Sequence, residues 1–296
     1  MAMMDINQMG NEVRICAPAK INLFLEVVRK REDGYHDLET VMQEIDLVDN
    51  LTFKETEEGV SLDCDDKSIP CGEENLVCKA ANLIIQECGI KKGVNISLKK
   101  NIPVGAGLGG GSSDAAATLK ALNMLWRVGL TDEELMAFAA KLGSDVAFFI
   151  KGKTSLCKGR GEIIYPIEVK NKLNYLLIFP HIRIDTITIY KNLKIGLTKN
   201  RKDVSFFLDI IERGNAESVG KLLFNRLEEP VFSLYPNLLQ LKSFLKQFDF
   251  CGLLVSGSGS SIVGLCSSRE QAVLNRDKIA SIGKGEVFVV TNAVLP

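Results

Sequence analysis

Five glycines lie within seven positions of the segment PVGAGLGGGSSDAA at residues 103–116, and alanines follow after two serines and an aspartate. Glycine permits a positive φ and a close approach of the backbone, but it loses more conformational freedom on folding than other residues. The N–H groups of a glycine loop and of the first turn of a following helix can converge on an anion, where the helix dipole adds partial positive charge. The segment therefore predicts a phosphate-binding loop above a helix N-terminus.

Three other interpretations of this segment fit less well. The glycines satisfy the dinucleotide-binding pattern G-x-G-x-x-G, but the preceding strand, VNISLKK, is amphipathic, whereas the first strand of a parallel dinucleotide fold is apolar throughout. The Walker A pattern requires a lysine where Gly111 stands. A plain flexible turn explains the glycines but not the serines and the aspartate at 112–114, which fill the first turn of a predicted helix.

Composition excludes several classes of partner. The chain has 296 residues, of which 46% are hydrophobic, and a net charge of −1, which gives no general attraction to nucleic acid or acidic membranes. The apolar runs are too short to span a bilayer and the N-terminus does not resemble a leader, so we expect a cytoplasmic protein. The eight cysteines form no C-x-x-C pair and only two histidines accompany them, so neither a zinc site nor a disulfide framework is expected.

Strand and helix patterns alternate along the whole chain. The first strand, KINLFLEVV at 20–28, has Ile21 and Leu23 on one face and Lys20 and Asn22 on the other. Up to residue 143, later segments predict a helix at 73–89, a strand at 94–100, the helix after the glycine loop and a helix at 131–143. A buried strand is predicted at 173–179, followed by a largely helical region at 203–249 that is broken by Pro230 and Pro236. Two strands joined by a glycine–serine turn at 251–266 come next, and then a last helix and strand. Strands in pairs with helices between them indicate an α+β fold with mixed or antiparallel sheets.

Several polar residues could do chemistry, and from the residues alone each has an ordinary structural alternative. Asp145 follows a helix-ending glycine and precedes an apolar run, which predicts a loop mouth with hydrophobic walls; a helix cap or a surface turn is the alternative. Lys20 could equally be a solvated strand lysine, and His36, next to the Asp33-Gly34 turn, a structural histidine. The SGSGS segment at 256–260 is a second glycine turn or a plain hairpin.

The glycine segment resembles the phosphate-binding motif of the superfamily of galactokinase, homoserine kinase, mevalonate kinase and phosphomevalonate kinase, which binds ATP without a Walker A lysine. Further segments resemble one family of that superfamily, the 4-diphosphocytidyl-2-C-methyl-D-erythritol kinases, over nearly the whole chain. These segments are PAKINLFL, DGYHDLETVMQEIDLVD, LGSDVAFFIKG, GRGEII and VSGSGSSIVGL. The pair PAK-x-NLFL and DGYH is the most discriminating, because the sibling kinases lack that combination.

The resemblance implies a two-domain small-molecule kinase fold of the α+β class. An N-terminal domain at 1–155 would hold the ATP loop, and a C-terminal α+β domain with mixed or antiparallel sheets would occupy 156–296. The implied activity is the ATP-dependent phosphorylation of a hydroxyl of 4-(cytidine 5'-diphospho)-2-C-methyl-D-erythritol (CDP-methylerythritol), in the non-mevalonate route to isoprenoid precursors. ATP and Mg²⁺ are the implied cofactors, and a small molecule is the implied partner, with neither nucleic acid nor membrane.

The resemblance also implies roles for individual residues. Asp145 would be the catalytic base and Lys20 the cation that keeps it ionised and stabilises the reacting oxygens. ATP would bind to Pro103, Val104, Gly105, Ala106, Gly107, Leu108, Gly109, Gly110, Gly111, Ser112 and Ser113. The substrate would bind to Asn22, Tyr35, His36, Thr186, Tyr190, Gly257 and Ser258, with Tyr35 and Tyr190 hypothesised to clamp the cytosine and His36 to select it. The metal ligands are not fixed by the sequence, and Ser113 is only a candidate.

Other functions remain as alternatives with distinct signatures. A homoserine-type or mevalonate-type kinase would keep the glycine loop without the pair PAK-x-NLFL and DGYH. A non-catalytic nucleotide-binding protein on the same scaffold would be expected to lose Lys20 or Asp145, and both are present. A serine hydrolase is disfavoured because neither histidine accompanies a G-x-S-x-G elbow.

Overall fold

The structure is a computed structural model that describes residues 4–193, 201–213 and 215–292. Its backbone contacts divide the chain into two compact units. Unit 1 consists of the residues up to 19, 47–104 and 109–153, and unit 2 consists of 20–46, 105–108 and the residues from 154 onward. Each unit is therefore assembled from separate segments, and the glycine loop passes from unit 1 into unit 2 and back.

Unit 1 is built on a mixed sheet. Its strands are β1 (Ile6–Met9), β2 (Glu12–Lys30), β3 (His36–Thr56), β4 (Val60–Cys64) and β5 (Gly93–Lys99), in the order β1-β2-β3-β5-β4, and β2 and β3 continue into unit 2. β5 is antiparallel to β3 and parallel to β4, and its residues alternate between buried and exposed from Val94 onward. A dinucleotide-binding first strand is parallel to its neighbours and buried on both faces, so this arrangement excludes that interpretation.

Four helices accompany this sheet in the described part of unit 1, and local signals set their ends. They are α1 (Leu76–Cys88), α2 (Gly110–Leu125), α3 (Asp132–Leu142) and α4 (Ser144–Lys151). α1 ends at Gly89 in the left-handed conformation with φ 64°, as predicted for a C-terminal glycine. Thr131 and Glu134 form the predicted capping box at the start of α3. Ala115, Ala116 and Ala117 are fully buried in α2, which packs against α1.

Unit 2 contains the remaining strands. β6 (Thr154–Gly159) pairs with the first half of β3 and with β7 (Ile163–Ile167), while β9 (Phe224–Asn225) runs parallel to β2. A separate antiparallel sheet consists of β8 (Asn174–Phe179), β10 (Gly252–Val255), β11 (Ile262–Cys266) and β12 (Glu286–Thr291), in the order β10-β11-β8-β12. The α+β class with mixed and antiparallel sheets is thus confirmed.

Helices complete unit 2 and bury its core. They are α5 (Thr186–Lys191), α6 (Ser205–Arg213), α7 (Ala216–Leu222), α8 (Glu228–Leu234), α9 (Pro236–Leu245) and α10 (Arg269–Ala280). Leu176 and Ile178 of β8 lie in one buried cluster with Leu238 of α9 and with Ala272 and Ile279 of α10. None of the described helices combines the length and the apolar composition that crossing a bilayer requires.

Two boundary predictions are wrong. The first strand begins at Glu12 rather than at residue 20, and its expected polar face is buried, with Lys20 5% and Asn22 2% exposed. The alternation along the sequence identified the strand, but it did not show that other segments of the chain cover its second face. Pro230 does not break the helical region, because it lies in the first turn of α8, where no intrahelical N–H bond is lost. The break precedes it, at β9.

An ion pair with a buried carboxylate joins β2 to the turn between β9 and α8 within unit 2. The guanidinium of Arg226 donates two hydrogen bonds of 2.7 Å to the carboxylate of Glu26, whose side chain is fully buried. Burial acts to raise the pKa of the Glu26 carboxyl, but hydrogen bonds from Arg226 and from the backbone N–H groups of Lys202 and Val27 outweigh it and hold that pKa below its ordinary value. The carboxylate therefore stabilises the folded protein while it is ionised.

Replacing Glu26 with alanine removes the buried carboxylate that accepts two hydrogen bonds from the Arg226 guanidinium. We expect Glu26→Ala to lower the free energy of unfolding by about 3–5 kcal/mol. The matched control is Glu12→Ala, which removes an exposed pair with Arg14 and should cost no more than about 1 kcal/mol. Urea denaturation measures both changes.

The lowered pKa gives this prediction a pH signature. Because the folded-state pKa of Glu26 lies below its unfolded value, its contribution is present above the unfolded pKa and is lost as pH falls through the folded one. The stability difference between Glu26→Ala and the parent should therefore shrink below about pH 4. A difference that is constant from pH 7 to pH 3, or no larger than that of Glu12→Ala, would contradict the assignment.

Candidate active site

The part of the glycine loop in unit 2 lies directly against the SGSGS turn. Gly107 has φ 78°, and a Cβ built on it would come within 2.5 Å of the Ser256 carbonyl oxygen and 2.8 Å of the Gly259 carbonyl oxygen. Two backbone hydrogen bonds hold the same loop: Lys20 N–H donates to the Leu108 carbonyl at 2.9 Å, and Ser261 N–H to the Ala106 carbonyl at 3.1 Å. Position 107 therefore needs glycine for both its conformation and its surroundings.

A buried lysine lies beside this contact. Lys20 Nζ donates a 2.7 Å hydrogen bond to Asn22 Oδ1, and Asn22 Nδ2 donates one of 2.9 Å to Thr40 Oγ1. A Cβ on Gly257 would lie 3.2 Å from Asn22 Oδ1 and 3.5 Å from Lys20 Nζ. The structure thus brings together Lys20, Asn22 and Gly257, three residues that the sequence assigned to the site.

Polar side chains hold the SGSGS turn in place. Asn225 Nδ2 donates hydrogen bonds of 2.7 Å to the carbonyls of Val255 and Gly257. The Ser256 hydroxyl accepts from Asn22 N–H at 3.3 Å and donates to the Gly107 carbonyl at 3.2 Å. The turn, the first strand and the glycine loop therefore share one hydrogen-bond network.

The segment at 181–190 is attached to the same turn. The Ser260 hydroxyl donates to the Ile182 carbonyl at 2.5 Å, and the hydroxyls of Thr186 and Ser258 lie 2.7 Å apart. α5 begins at Thr186 because the carboxylate of Asp185 accepts hydrogen bonds from the next N–H groups. Thr186 and Ser258, predicted as substrate-binding residues, are direct neighbours.

The aromatic candidates are arranged in two contacts. The rings of His36 and Tyr190 stack, with centroids 5.2 Å apart and an interplanar angle of 25°. Tyr35 is 55% exposed, and the Arg160 guanidinium lies 4.9 Å from its ring centroid. Burial, aided by the charge of Lys30, lowers the pKa of His36, so the imidazole is neutral at pH 7 and offers both a donor and an acceptor. His36, rather than Tyr35, is thus the ring that Tyr190 stacks against here.

In unit 1, the glycine loop runs into the N-terminus of α2. Gly109 is the N-terminal cap with φ 71°, and a Cβ on Gly111 would meet no atom within 4 Å. The first N–H groups of α2 have no intrahelical acceptor by the geometry of a helix, so they are available to an anion. The Ser113 hydroxyl is buried and has no hydrogen-bond partner among the described residues.

A buried charge cluster supports this helix end. Lys100 Nζ donates to the carboxylates of Asp49 and Asp114, the latter at 2.8 Å, and a Cβ on Gly110 would lie 3.2 Å from Lys100 Nζ. Burial raises the pKa of Asp114 to about 7; Lys100 opposes the rise and the nearby Asp49 carboxylate adds to it. Asp114 lies in α2 itself, next to Ser113, so this cluster belongs to the helix whose N-terminus ends the predicted phosphate loop.

Asp145 lies in unit 1, and the loop position predicted for it is wrong. It occupies the first turn of α4, whose N-terminal cap is Gly143, and it is partly buried. The apolar run that follows, from Val146 to Ile150, is fully buried in the same helix. A carboxylate in a first helical turn is favourably placed in the field of the helix dipole.

Sequence reasoning missed several residues of these networks. Thr40 and Asn225 orient Asn22 and the SGSGS turn, and Arg160 covers the Tyr35 ring. Arg160 lies in the GRGEII segment, so that resemblance could have identified it. Thr40 lies in the DGYHDLETVMQEIDLVD segment, so the same resemblance could have identified it. Asn225 has no such signal, because the carbonyls that it binds lie 30 and 32 positions away in the chain. Within the described residues, no group of three or more histidine, cysteine, aspartate or glutamate side chains could hold a metal ion.

Both halves of the chain match domains of one kinase family. Residues 75–153 match the N-terminal domain of the GHMP kinases, the superfamily of galactokinase, homoserine kinase, mevalonate kinase and phosphomevalonate kinase. Residues 207–284 match the GHMP kinase C-terminal domain.

The chain belongs to the GHMP kinases. The resemblance seen in the glycine segment is thereby confirmed, and as a GHMP kinase the protein is an ATP-dependent phosphotransferase.

Named relatives narrow this family further. The chain is 43% identical over 252 residues to a 4-diphosphocytidyl-2-C-methyl-D-erythritol kinase from Shouchella clausii, covering 85% of this chain and 84% of the relative. It superposes on a crystal structure of 4-(cytidine 5'-diphospho)-2C-methyl-D-erythritol kinase with TM-score 0.81 and 33% identity, covering 95% and 99% of the two chains. A crystal structure of a homoserine kinase from Cytophaga hutchinsonii superposes with TM-score 0.76 and covers 97% of this chain and 96% of its own. Because the two sequences are only 21% identical, this likeness shows a shared fold and nothing more.

The contact at Gly107 predicts unequal effects of two alanine substitutions in this GHMP kinase. Gly105 and Gly107 both have positive φ, but only a Cβ on Gly107 meets the SGSGS turn, since nothing lies within 4 Å of one on Gly105. Gly105→Ala should cost about 1–2 kcal/mol of backbone strain and keep most activity. Gly107→Ala should cost more and raise the KM for ATP at least tenfold, as judged by urea unfolding and steady-state kinetics. Equal effects of the two substitutions would show that the close approach is not needed.

Proposed function

We propose that this GHMP kinase transfers the γ-phosphoryl group of ATP to a hydroxyl of CDP-methylerythritol, in the non-mevalonate route to isoprenoid precursors. The stacked His36–Tyr190 pair carries the proposal, because a neutral imidazole on an aromatic ring is suited to a flat, hydrogen-bonding base such as cytosine. Homoserine and mevalonate have no such ring. The relatives named for this activity support the same substrate over 84% or more of this chain.

The nucleotide is proposed to bind at the glycine loop. The positive φ values at Gly105, Gly107 and Gly109 turn the backbone repeatedly before α2, and the free N–H groups of α2 provide donors for phosphate oxygens. Mg²⁺ fits as an ion carried by the triphosphate, since the described residues offer the unpartnered Ser113 hydroxyl but no group of three or more acidic, histidine or cysteine side chains that could hold a metal ion. When bound there, Mg²⁺ neutralises charge on the phosphates.

The reaction assigns complementary roles to Asp145 and Lys20. The Asp145 carboxylate accepts the proton of the substrate hydroxyl as that oxygen forms a bond to the γ-phosphorus. The bond from the γ-phosphorus to the bridging oxygen breaks, and ADP leaves. The Lys20 ammonium, oriented by Asn22 Oδ1 at 2.7 Å, stabilises the negative charge that develops on the reacting oxygens.

The proposed substrate pocket follows from the contacts in unit 2. Cytosine stacks on the His36–Tyr190 pair, and the His36 nitrogens read its hydrogen-bonding edge. The hydroxyls of Thr186 and Ser258, 2.7 Å apart, offer polar contacts to the rest of the substrate. Tyr35, whose ring is covered by the Arg160 guanidinium, borders the proposed pocket. This proposal therefore contains no clamp in which Tyr35 and Tyr190 hold the cytosine from two sides.

The role of Asp145 is tested by removing its charge at constant size. Asp145→Asn should lower kcat by about 10²–10⁴, the usual contribution of a positioned base, while ATP affinity stays nearly unchanged. The matched control is Asp132→Asn, an aspartate in the first turn of α3, which should keep parental kcat. Steady-state turnover and calorimetric ATP titration measure the two effects. Near-parental turnover of Asp145→Asn would remove Asp145 from the catalytic role.

The cytosine contact is tested at Tyr190. Tyr190→Ala should raise the KM for CDP-methylerythritol about 5- to 150-fold, corresponding to the loss of about 1–3 kcal/mol of stacking, without changing the KM for ATP. Tyr190→Phe keeps the ring and should retain most of the affinity. If Tyr190→Phe is impaired as strongly as Tyr190→Ala, the ring is not the element that binds substrate.

A direct screen decides between substrates. CDP-methylerythritol, methylerythritol 4-phosphate, mevalonate and homoserine are each offered with ATP, and ADP release is measured. We expect efficient turnover of CDP-methylerythritol alone. Equal turnover of methylerythritol 4-phosphate would show that the cytidine is not recognised, and preference for mevalonate or homoserine would assign the chain to a sibling activity.

A further inference from the structure

Side-chain carboxylates hold the backbone that enters the glycine loop in unit 1. Three consecutive residues between β5 and the loop donate their N–H groups to these carboxylates. The N–H of Lys100 donates to Asp65 Oδ1 at 2.9 Å. The N–H groups of Asn101 and Ile102 both donate to Asp49 Oδ1, at 2.6 Å and 2.9 Å. Because hydrogen bonds to a carboxylate are short and strong, Asp49 fixes the path by which the backbone enters the loop.

The side chain of Lys100 connects this entry to the helix at the other end of the loop. Its ammonium donates to Asp49 on β3 and to Asp114 on α2, and none of the three side chains is more than 7% exposed. Burial acts to lower the pKa of Lys100, but the charges of Asp114 and Asp49 outweigh it and hold that pKa above its ordinary value. The ammonium is therefore charged at neutral pH and links β3 to α2.

Gly110, the first residue of α2, packs directly on this link. A Cβ built on it would come within 3.1 Å of Ile102 Cγ2 and 3.2 Å of Lys100 Nζ. Ile102 is itself 2% exposed. Residues 102 and 110 thus lie against each other, although the glycine loop separates them along the chain. The two ends of the loop are therefore held at a fixed separation.

We propose that Asp49 and Lys100 are positioning residues for the nucleotide phosphates, because they hold the entry of the glycine loop and the first turn of α2 in the arrangement that binds ATP. Since ATP is proposed to bind at that loop, this role rests on the function proposed above. Neither residue contacts ATP; each acts through the backbone that it orients. The placement of such groups matters, since a displacement of about 1 Å can cost a factor of about 100 in rate.

An isosteric variant of Asp49 tests the link without leaving an unpaired buried charge. In Asp49→Asn, the amide oxygen still accepts the N–H groups of Asn101 and Ile102. The amide NH₂ then faces the Lys100 ammonium, which keeps Asp114 as its partner. We expect the calorimetric Kd and the KM for ATP to rise about 10- to 100-fold, while kcat falls by no more than about threefold and the KM for the acceptor is unchanged.

Two control variants separate positioning from other effects. Asp65→Asn is the same substitution at a carboxylate that accepts an N–H of the same segment, whereas the ion pairs of Lys100 within the described residues are with Asp49 and Asp114. Its amide oxygen can replace the carboxylate oxygen, so we expect parental Kd and KM for ATP. Glu26→Ala, the destabilised variant of unit 2, should lower the free energy of unfolding without raising the KM for ATP.

A second variant removes the whole charge cluster. The triple substitution Asp49→Asn, Lys100→Met and Asp114→Asn nearly conserves the side-chain volumes and leaves no unpaired buried charge, so the protein is expected to fold. It also removes the link between β3 and α2. We expect a rise in the Kd for ATP at least as large as that of Asp49→Asn, again with a smaller effect on kcat.

Three results overturn the inference. The first is a parental Kd and KM for ATP in both Asp49→Asn and the triple variant. The second is a fall in kcat with the KM for ATP unchanged. The third is an equal rise in the KM for ATP in Asp65→Asn or Glu26→Ala, which would show a general effect on the fold.

Failure of this role is distinguishable from failure of the proposed function. The Kd for ATP is measured without an acceptor, so substrate recognition does not enter it. If the parent binds ATP and phosphorylates CDP-methylerythritol but the variants bind ATP equally well, only the positioning role is wrong. If the parent itself neither binds ATP nor turns over CDP-methylerythritol, the proposed function is wrong and the positioning role with it.

Discussion

The backbone of Gly107 lies against the SGSGS turn, and the arrangement of unit 2 depends on that contact. Because position 107 carries no Cβ, the loop can approach the Ser256 carbonyl at a distance that any other side chain would block. The Ser256 hydroxyl can then bridge the Gly107 carbonyl and Asn22 N–H. Asn22 in turn orients Lys20. The absence of a Cβ at Gly107 thus permits the hydrogen bonds that connect the phosphate loop to Lys20, the lysine proposed to stabilise the transferred phosphoryl group.

Buried charge is the second constraint on this molecule. Burying an ion costs several kcal/mol unless a partner with good geometry compensates it. Glu26 meets this condition through two hydrogen bonds from Arg226, and Lys100 through two carboxylates. In the Lys100 cluster burial raises the pKa of Asp114 to about 7, because Lys100 offsets only part of that effect and the Asp49 carboxylate adds to it. That cluster places a titrating group beneath the N-terminus of α2, where phosphate is proposed to bind.

The fold alone does not determine the substrate. A homoserine kinase with 21% identity shares the architecture with TM-score 0.76, so the same sheets and helices serve different acceptors. Within unit 2, the contacts proposed to bind the substrate are the neutral His36 ring stacked on Tyr190 and the hydroxyl pair of Thr186 and Ser258. These side chains come from β3, α5 and the SGSGS turn, which are held together by hydrogen bonds such as that from Ser260 to Ile182.

The sequence by itself determined the features that depend on local signals. The α+β class, the glycine C-cap of α1, the capping box of α3 and the two strands around the SGSGS turn are as predicted, because each depends on residues within a few positions of one another. The kinase family followed from motifs of the same local kind.

Only the tertiary structure decided which distant groups meet. Lys100 pairs with Asp49 across 51 positions, and Asn225 binds the carbonyl of Gly257 across 32. The first strand shows alternation, yet Lys20 and Asn22 are buried because elements far along the chain cover the second face. Asp145 lies in a helix rather than in a loop, since the apolar run after it is buried as a helix. Burial and partner choice depend on long-range packing, and no pattern within a short window contains that information.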